Sequence, residues 1–197
     1  MKQNPQLFQD NLREHQALFA LLPRLESEIV AAGTLMARTL AAGRKVMLCG
    51  NGGSAADSQH IAAELTGRFI ADRRPLAALA LTTDTSALTC IANDYSFEDV
   101  FARQVSGLGA RGDCLIGIST SGNSRNLIRA VEAARSIGMQ VIGLLGRDGG
   151  VLGPLCDVAI IVPSATTARI QEAHILIGHT LCGMVESELG LAEAQRP

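Results

Sequence analysis

The sequence predicts an α/β protein: a flavodoxin-like, doubly wound parallel sheet of five strands, with helices added at the N-terminus. Three observations carry that prediction. From Lys45 onward, short apolar runs alternate with helical patterns, the sequence form of a β-α series. The apolar runs are continuous where a half-exposed strand would alternate, as in strands covered on both faces. Glycine- and hydroxyl-rich stretches follow the first and third runs, and these two loops flank the switch point of a sheet ordered 2-1-3-4-5.

Residues 1–43 read as a helical segment separate from the sheet. Leu7, Phe8, Leu12, Leu18 and Phe19 recur at mixed helical spacings, Pro23 interrupts, and Leu25, Ile29, Ala32 and Met36 continue a second stripe toward Gly43. That stripe packs either on the chain's own sheet or on a second subunit. Residues 44–192 form the α/β unit. Its expected strands are Val46–Cys49, Ala77–Leu81, Cys114–Ile118, Val141–Leu145 and Val158–Val162. The expected helices lie at Ala55–Thr66, Ala87–Ala92, Phe97–Ser106 and Asn126–Ile137, and a long one runs from Ala168 to Leu189. Right-handed crossovers would link the strands.

Composition narrows the function classes. A chain of 197 residues with 47% hydrophobic and 18% charged residues buries its own core and is not disordered. The net charge of −2 gives no general attraction to nucleic acid or to anionic membranes. Five cysteines, widely spaced and without a C-x-x-C, fit reduced thiols. No run approaches the roughly 18 apolar residues of a membrane span, and the first residues lack a signal-peptide core, so a cytoplasmic, soluble protein is expected.

The chemistry-bearing residues gather around Val46–Phe69. Gly50-Asn51-Gly52-Gly53-Ser54 joins a strand to a helix, where glycines permit close approach and the first helical N–H groups form an anion site. His60 and Glu64, four apart on that helix, share one face and can hold one metal or act on one substrate. Ser119-Thr120-Ser121-Gly122-Asn123-Ser124, ahead of the helix starting near Arg125, offers four hydroxyls to a phosphate monoester. Asn93-Asp94, expected after the helix that follows strand two, can serve sugar hydroxyls or a turn. Arg68 can meet phosphate or complement a helix C-terminus. The last helix, apolar around much of its circumference, carries Gln171, His174 and His179, and His179 read alone is a buried, hydrogen-bonded core histidine before it is a functional one.

Taken together, CGNGGSAADSQHIAAELTGRF, the pair Asn93-Asp94, GISTSGNS and RIQEAHILIGH resemble the sugar isomerase (SIS) domain, and within it the phosphoheptose isomerase family. The resemblance spans nearly the whole chain. It implies conversion of sedoheptulose 7-phosphate to D-glycero-D-manno-heptose 7-phosphate, the first step of bacterial heptose biosynthesis for lipopolysaccharide or capsule. It also implies substrate contacts at Asn51, Gly52, Gly53, Glu64, Asn93, Asp94, Ser119, Thr120, Ser121, Ser124 and Gln171. Zinc, one ion per subunit, is implied at His60, Glu64, Gln171 and His179, in a homotetramer with sites between subunits. Ala168 stands where some members carry Asp.

Moving a proton between C1 and C2 through an enediol needs a base at carbon and a second group at oxygen, and the resemblance gives these roles to Glu64 and His179. A zinc ion would polarise the carbonyl. Two other classes compete. A non-enzymatic SIS-domain regulator that binds the replication initiator needs neither Glu64 nor His179. A dinucleotide-binding fold would use the loose G-x-G-x-x-A at Gly50–Ala55, but no acidic residue ends a second strand about 20 positions on.

Overall fold

Apolar runs free of Pro become strands, and the residues that break them become the loops that matter. The computed structural model describes residues 5–191; the outer ends of the two expected segments, residues 1–4 and 192, lie outside them. The strands are β1 (Val46–Gly50), β2 (Ala78–Ala80), β3 (Cys114–Ser119), β4 (Gln140–Gly146) and β5 (Val158–Val162). All pair in parallel in the order β2-β1-β3-β4-β5, as the sequence predicts. The helices are α1 (Pro5–Phe19), α2 (Glu26–Ala41), α3 (Gly53–Thr66), α4 (Thr85–Asp94), α5 (Ala102–Leu108), α6 (Arg125–Ser136) and α7 (Thr167–Glu188). Pro23 sits in the short 3-10 turn Leu22–Leu25 that separates α1 from α2.

Period-two alternation divides the central strands between two cores. Val46, Leu48, Ile116, Ile142 and Leu144 face α2, α3 and α7. Met47, Cys49, Leu115, Val141 and Leu145 face α4, α5 and α6. Each fully buried Leu or Ile contributes about 1.5–3 kcal/mol, and these two layers hold most of them. On the first face α3 and α7 approach closely: a Cβ added at Gly178 would lie 2.6 Å from Ile61 Cδ1. That contact sets the separation of the two helices that carry the site.

Two expected elements differ. The helix predicted over Phe97–Ser106 is a 3-10 turn, Phe97–Asp99, followed by α5. Ser96 is extended, and its hydroxyl donates to Asp99 Oδ2 at 2.6 Å, so a side-chain turn replaces the first helical turn. The helix after β2 starts earlier and ends later than Ala87–Ala92. Asp84 caps it by accepting from the Ala87 N–H, and Asn93 and Asp94 form its last turn instead of following it.

The cysteines are unpaired, and burial pushes the Cys49 and Cys182 thiols up to about 12, which leaves them inert. His174, fully buried on α7, meets the Leu145 carbonyl through Nε2 at 2.9 Å, while Nδ1 has no partner among the described residues. Burial pushes its imidazole down from 6.5 to about 4, against the opposing pull of that carbonyl. An imidazole neutral in the fold and protonated in the unfolded chain supports the fold above pH 6.5 and loses that support as pH falls toward 4. This residue alone should remove about 3 kcal/mol of unfolding free energy across that range. In urea titrations His174→Gln, which keeps an N–H donor, should flatten the pH slope; an unchanged slope would contradict the assignment.

Candidate active site

Two loops at the C-terminal edge of the sheet build a hollow of about 320 Å³, lined by Asn51, Gly52, Gly53, Ser54, Ser119, Thr120, Ser124, Thr167 and Gln171 with Ile118. The first loop turns at Gly52, whose φ of 57° is open to glycine and strained for other residues. The α3 helix therefore begins at once, with its first N–H groups at the hollow, and α6 begins beside Ser124 in the same way. Gly122 holds the second loop at φ 66°, against the Gly149 carbonyl, where any Cβ would collide at 2.0 Å. Within that loop the Ser119 and Ser124 hydroxyls lie 3.2 Å apart, and Ser119 Oγ accepts the Gly122 N–H at 3.1 Å. Ser121 accepts the Asn123 N–H at 3.2 Å and does not line the hollow.

A second cluster lies further along α3 and α7. Ligand atoms of His60, Glu64 and His179 all fall within 4.8 Å of one another. His60 Nε2 is 3.1 Å from Glu64 Oε1 and 3.3 Å from His179 Nε2. Tetrahedral coordination at zinc bond lengths separates ligand atoms by about 3.3 Å. Two imidazoles and a carboxylate with this spacing fit a zinc ion; without one, a neutral imidazole can donate from its Nε2 to the other ring. Gln171 sits elsewhere on the same helix. Its carboxamide covers Gly53, where a Cβ would lie 2.5 Å from Nε2 and 3.1 Å from Oε1, so its side chain is part of the hollow.

The chain is also similar to a known group of proteins. The family model described as the SIS domain matches residues 12–146. The phosphoheptose isomerase of a Nitratiruptor species is 58% identical over 176 residues, 89% of this chain and 94% of that protein. The phosphoheptose isomerase of Helicobacter pylori (strain Shi470) is 54% identical over 175 residues, 89% of this chain and 91% of that one. The solved structure of phosphoheptose isomerase GmhA from Neisseria gonorrhoeae superposes with a TM-score of 0.82 at 50% identity, covering 91% of this chain and 95% of that one. The chain belongs to the SIS-domain family, among the phosphoheptose isomerases.

Not every residue that the phosphoheptose isomerase resemblance singles out comes to the hollow. Asn93 and Asp94 sit on the last turn of α4, where Asn93 donates to Asp94 Oδ1 at 2.8 Å and the Cys90 thiol meets Asp94 Oδ2 at 3.4 Å. Asp94 lines a separate depression with Tyr95 and Arg103, the guanidinium 3.8 Å from the ring centroid. Arg68 follows the α3 C-cap Gly67 and is exposed.

Other residues of the site are absent from the sequence-based set. Asn126, 3% exposed, exchanges two amide hydrogen bonds with Asn51, at 3.0 and 2.8 Å, and so ties the two loops across the switch point. Asp57, one turn before His60, has a buried Oδ2 with no donor among the described residues. Burial pushes its carboxyl up while His60 pulls it back. An Asn in the first turn of a helix that follows a hydroxyl-rich loop is the one sequence signal that could have found Asn126.

Replacing Asn126 by Ala leaves the Asn51 amide unpaired and should lower unfolding free energy by about 1–3 kcal/mol. In a double-mutant cycle with Asn51→Ala, urea unfolding should show the two losses to be less than additive. Full additivity would mean that the pair does not couple the loops.

Proposed function

We propose that this chain interconverts sedoheptulose 7-phosphate and D-glycero-D-manno-heptose 7-phosphate, an aldose-ketose isomerisation at the head of bacterial heptose biosynthesis in the cytoplasm. One observation carries the reading. The α3 and α7 helices start at the same hollow, run side by side, and bring a carboxylate and an imidazole together further along. On ideal helices Glu64 lies about 16 Å beyond Gly53, and His179 about 12 Å beyond Gln171. Helical side chains lean back toward the N-terminus and shorten both spans. An extended seven-carbon sugar bridges that distance with its phosphate in the hollow and C1 and C2 at the cluster.

At the phosphate end, the first-turn N–H groups of α3 and α6 and the hydroxyls of Ser119, Thr120 and Ser124 hold the ester, with Gln171 over Gly53 closing one side. Asn51, fixed by Asn126, faces the first sugar hydroxyls. Asn93, Asp94 and Ser121 stay in the substrate set on the strength of the resemblance. At the far end, the Glu64 carboxylate takes the proton from carbon and returns it to the neighbouring carbon, while His179 moves a proton on and off oxygen. A zinc ion held by His60, Glu64 and His179, with Gln171 kept as a ligand on the strength of the resemblance, would supply a positive charge for the developing enediolate oxygen, and His179 would then move its proton through the ring nitrogen that the metal leaves free.

The regulator alternative leaves this cluster without a task. Glu64→Gln should lower kcat at least a hundredfold in a coupled isomerase assay while KM changes by less than about threefold. Near-normal turnover would remove Glu64 as the base. Dialysis against a chelator should abolish turnover, and added zinc should restore it; activity untouched by the chelator would exclude the metal role.

We also propose a homotetramer. Leu7, Phe8 and Leu12 on α1 are 57%, 66% and 38% exposed, an apolar face of the kind that a second copy covers. No described helix is long and apolar enough to cross a membrane, and so this face is not part of a spanning segment. Sedimentation should give a mass of four chains. Because Glu64 and His179 of one chain already meet in a single cluster, mixing the inactive Glu64→Gln and His179→Gln variants should recover no activity, and recovery would mean that the two groups act from different subunits.

A further inference from the structure

His179 is loosely tethered for a group that must hand a proton to one defined oxygen. Among the described residues its only side-chain hydrogen bond is the 3.3 Å contact with His60 Nε2. Its ring is held by other rings. Phe69 stacks on it with centroids 5.5 Å apart and planes 21° apart, and His60 meets it edge-on at 4.9 Å and 72°. Phe69 also lies across Gly183, one turn further along α7, where an added Cβ would be 3.5 Å from the Phe69 ring.

Phe69 itself lies in the segment between α3 and β2, which has neither helical nor strand hydrogen bonds to hold it. One carboxylate does that work. Glu186 Oε1 accepts the Phe69 N–H at 3.2 Å, and Oε2 accepts those of Ile70 at 3.2 Å and Ala71 at 3.3 Å. The same carboxylate pairs with Arg73 Nε at 2.9 Å, with the two side chains only 1% and 2% exposed. From there the Arg73 guanidinium donates to the Glu64 and Leu65 carbonyls at 2.8 Å each and to Gly67 at 3.2 Å, closing the C-terminus of α3. A single buried ion pair thus fixes the backbone of Glu64 on one side and the ring that covers His179 on the other.

We propose that Phe69, anchored by the Arg73–Glu186 pair, is a positioning residue that fixes the His179 imidazole for proton transfer. The proposal rests on the isomerase reading above. Phe69 does not line the phosphate hollow, so its loss should leave substrate binding in place and strike the chemical step, where a small misplacement of a reacting group lowers rate steeply.

Phe69→Leu keeps an apolar side chain but removes the stacking plane. It should lower kcat about tenfold or more with KM within about twofold, and Phe69→Tyr, which restores the plane, should recover most of kcat. Independently of turnover, the ring current of Phe69 should shift the His179 imidazole C–H resonances in proton–carbon spectra, and the shift should vanish in Phe69→Leu and persist in Phe69→Tyr. An unshifted His179 resonance, unchanged kcat, or a rise in KM that accounts for the whole loss would overturn the proposal. A wild-type protein that fails to isomerise sedoheptulose 7-phosphate would defeat the functional reading and leave the resonances to judge the positioning.

Discussion

The side-by-side course of α3 and α7 is the constraint on which the site depends. Right-handed crossovers put both helices on one face of the sheet, and Gly178 against Ile61 lets their axes come close. Both helices begin at the switch-point hollow, so their N-termini favour an anion there. Both then carry side chains to the cluster of His60, Glu64 and His179 further along. The hollow and the cluster are therefore separated by helix length, a quantity that backbone hydrogen bonds fix more firmly than any loop does. A wider separation of α3 from α7 would lift Gln171 off Gly53 at the hollow and part Glu64 from His179 at the cluster.

Much of this was legible in the sequence because it follows local rules. Continuous apolar runs after Lys45 gave five parallel strands, and the order 2-1-3-4-5 put the glycine loop beside the serine loop. Spacing of four set His60 and Glu64 on one face of α3, where they meet. The misses arise where a side chain overrides the local pattern. Ser96 bonding to Asp99 broke a helix that the apolar spacing had suggested, and Asp84 started α4 two residues early, while at its other end the helix runs on through Asn93 and Asp94. Asn126, paired with a residue 75 positions away, has no local signature of that pairing. Gln171 was assigned by resemblance to both substrate and metal, and its place over Gly53 supports the first of these roles.

The helix α7 shows how one element can serve three layers. Its inner face carries Ile170, Ala173, Ile177, Leu181 and Val185 into the core beneath the sheet. Its first turns supply Gln171 to the hollow and, through Arg169 and Glu172, hold α1: Glu172 meets His15 Nδ1 at 2.8 Å, and Arg169 pairs with Glu172 at 2.7 Å and donates to the Asn11 carbonyl. Its later turns present His179 and Glu186. Its burial on several sides is in large part burial within the chain itself.

The Arg73–Glu186 pair is hard to explain as a device for stability alone. Removing a charge pair from water is expensive, and an apolar pair of similar volume often does as well or better. What an apolar pair cannot do is satisfy backbone groups. The segment from Gly67 to Leu76 crosses the ends of α3 and α7 without forming a helix or a strand, and its N–H groups, like the last carbonyls of α3, need partners if they are to be buried. Burial raises the Glu186 carboxyl, yet three N–H donors and a guanidinium outweigh that and hold it below the usual carboxylate range, so the charge persists in the fold. A charged acceptor with a fixed set of donors tolerates one geometry of the segment and rejects its neighbours. That selectivity is a physical reason, separate from net stability, to find an ion pair beneath this segment.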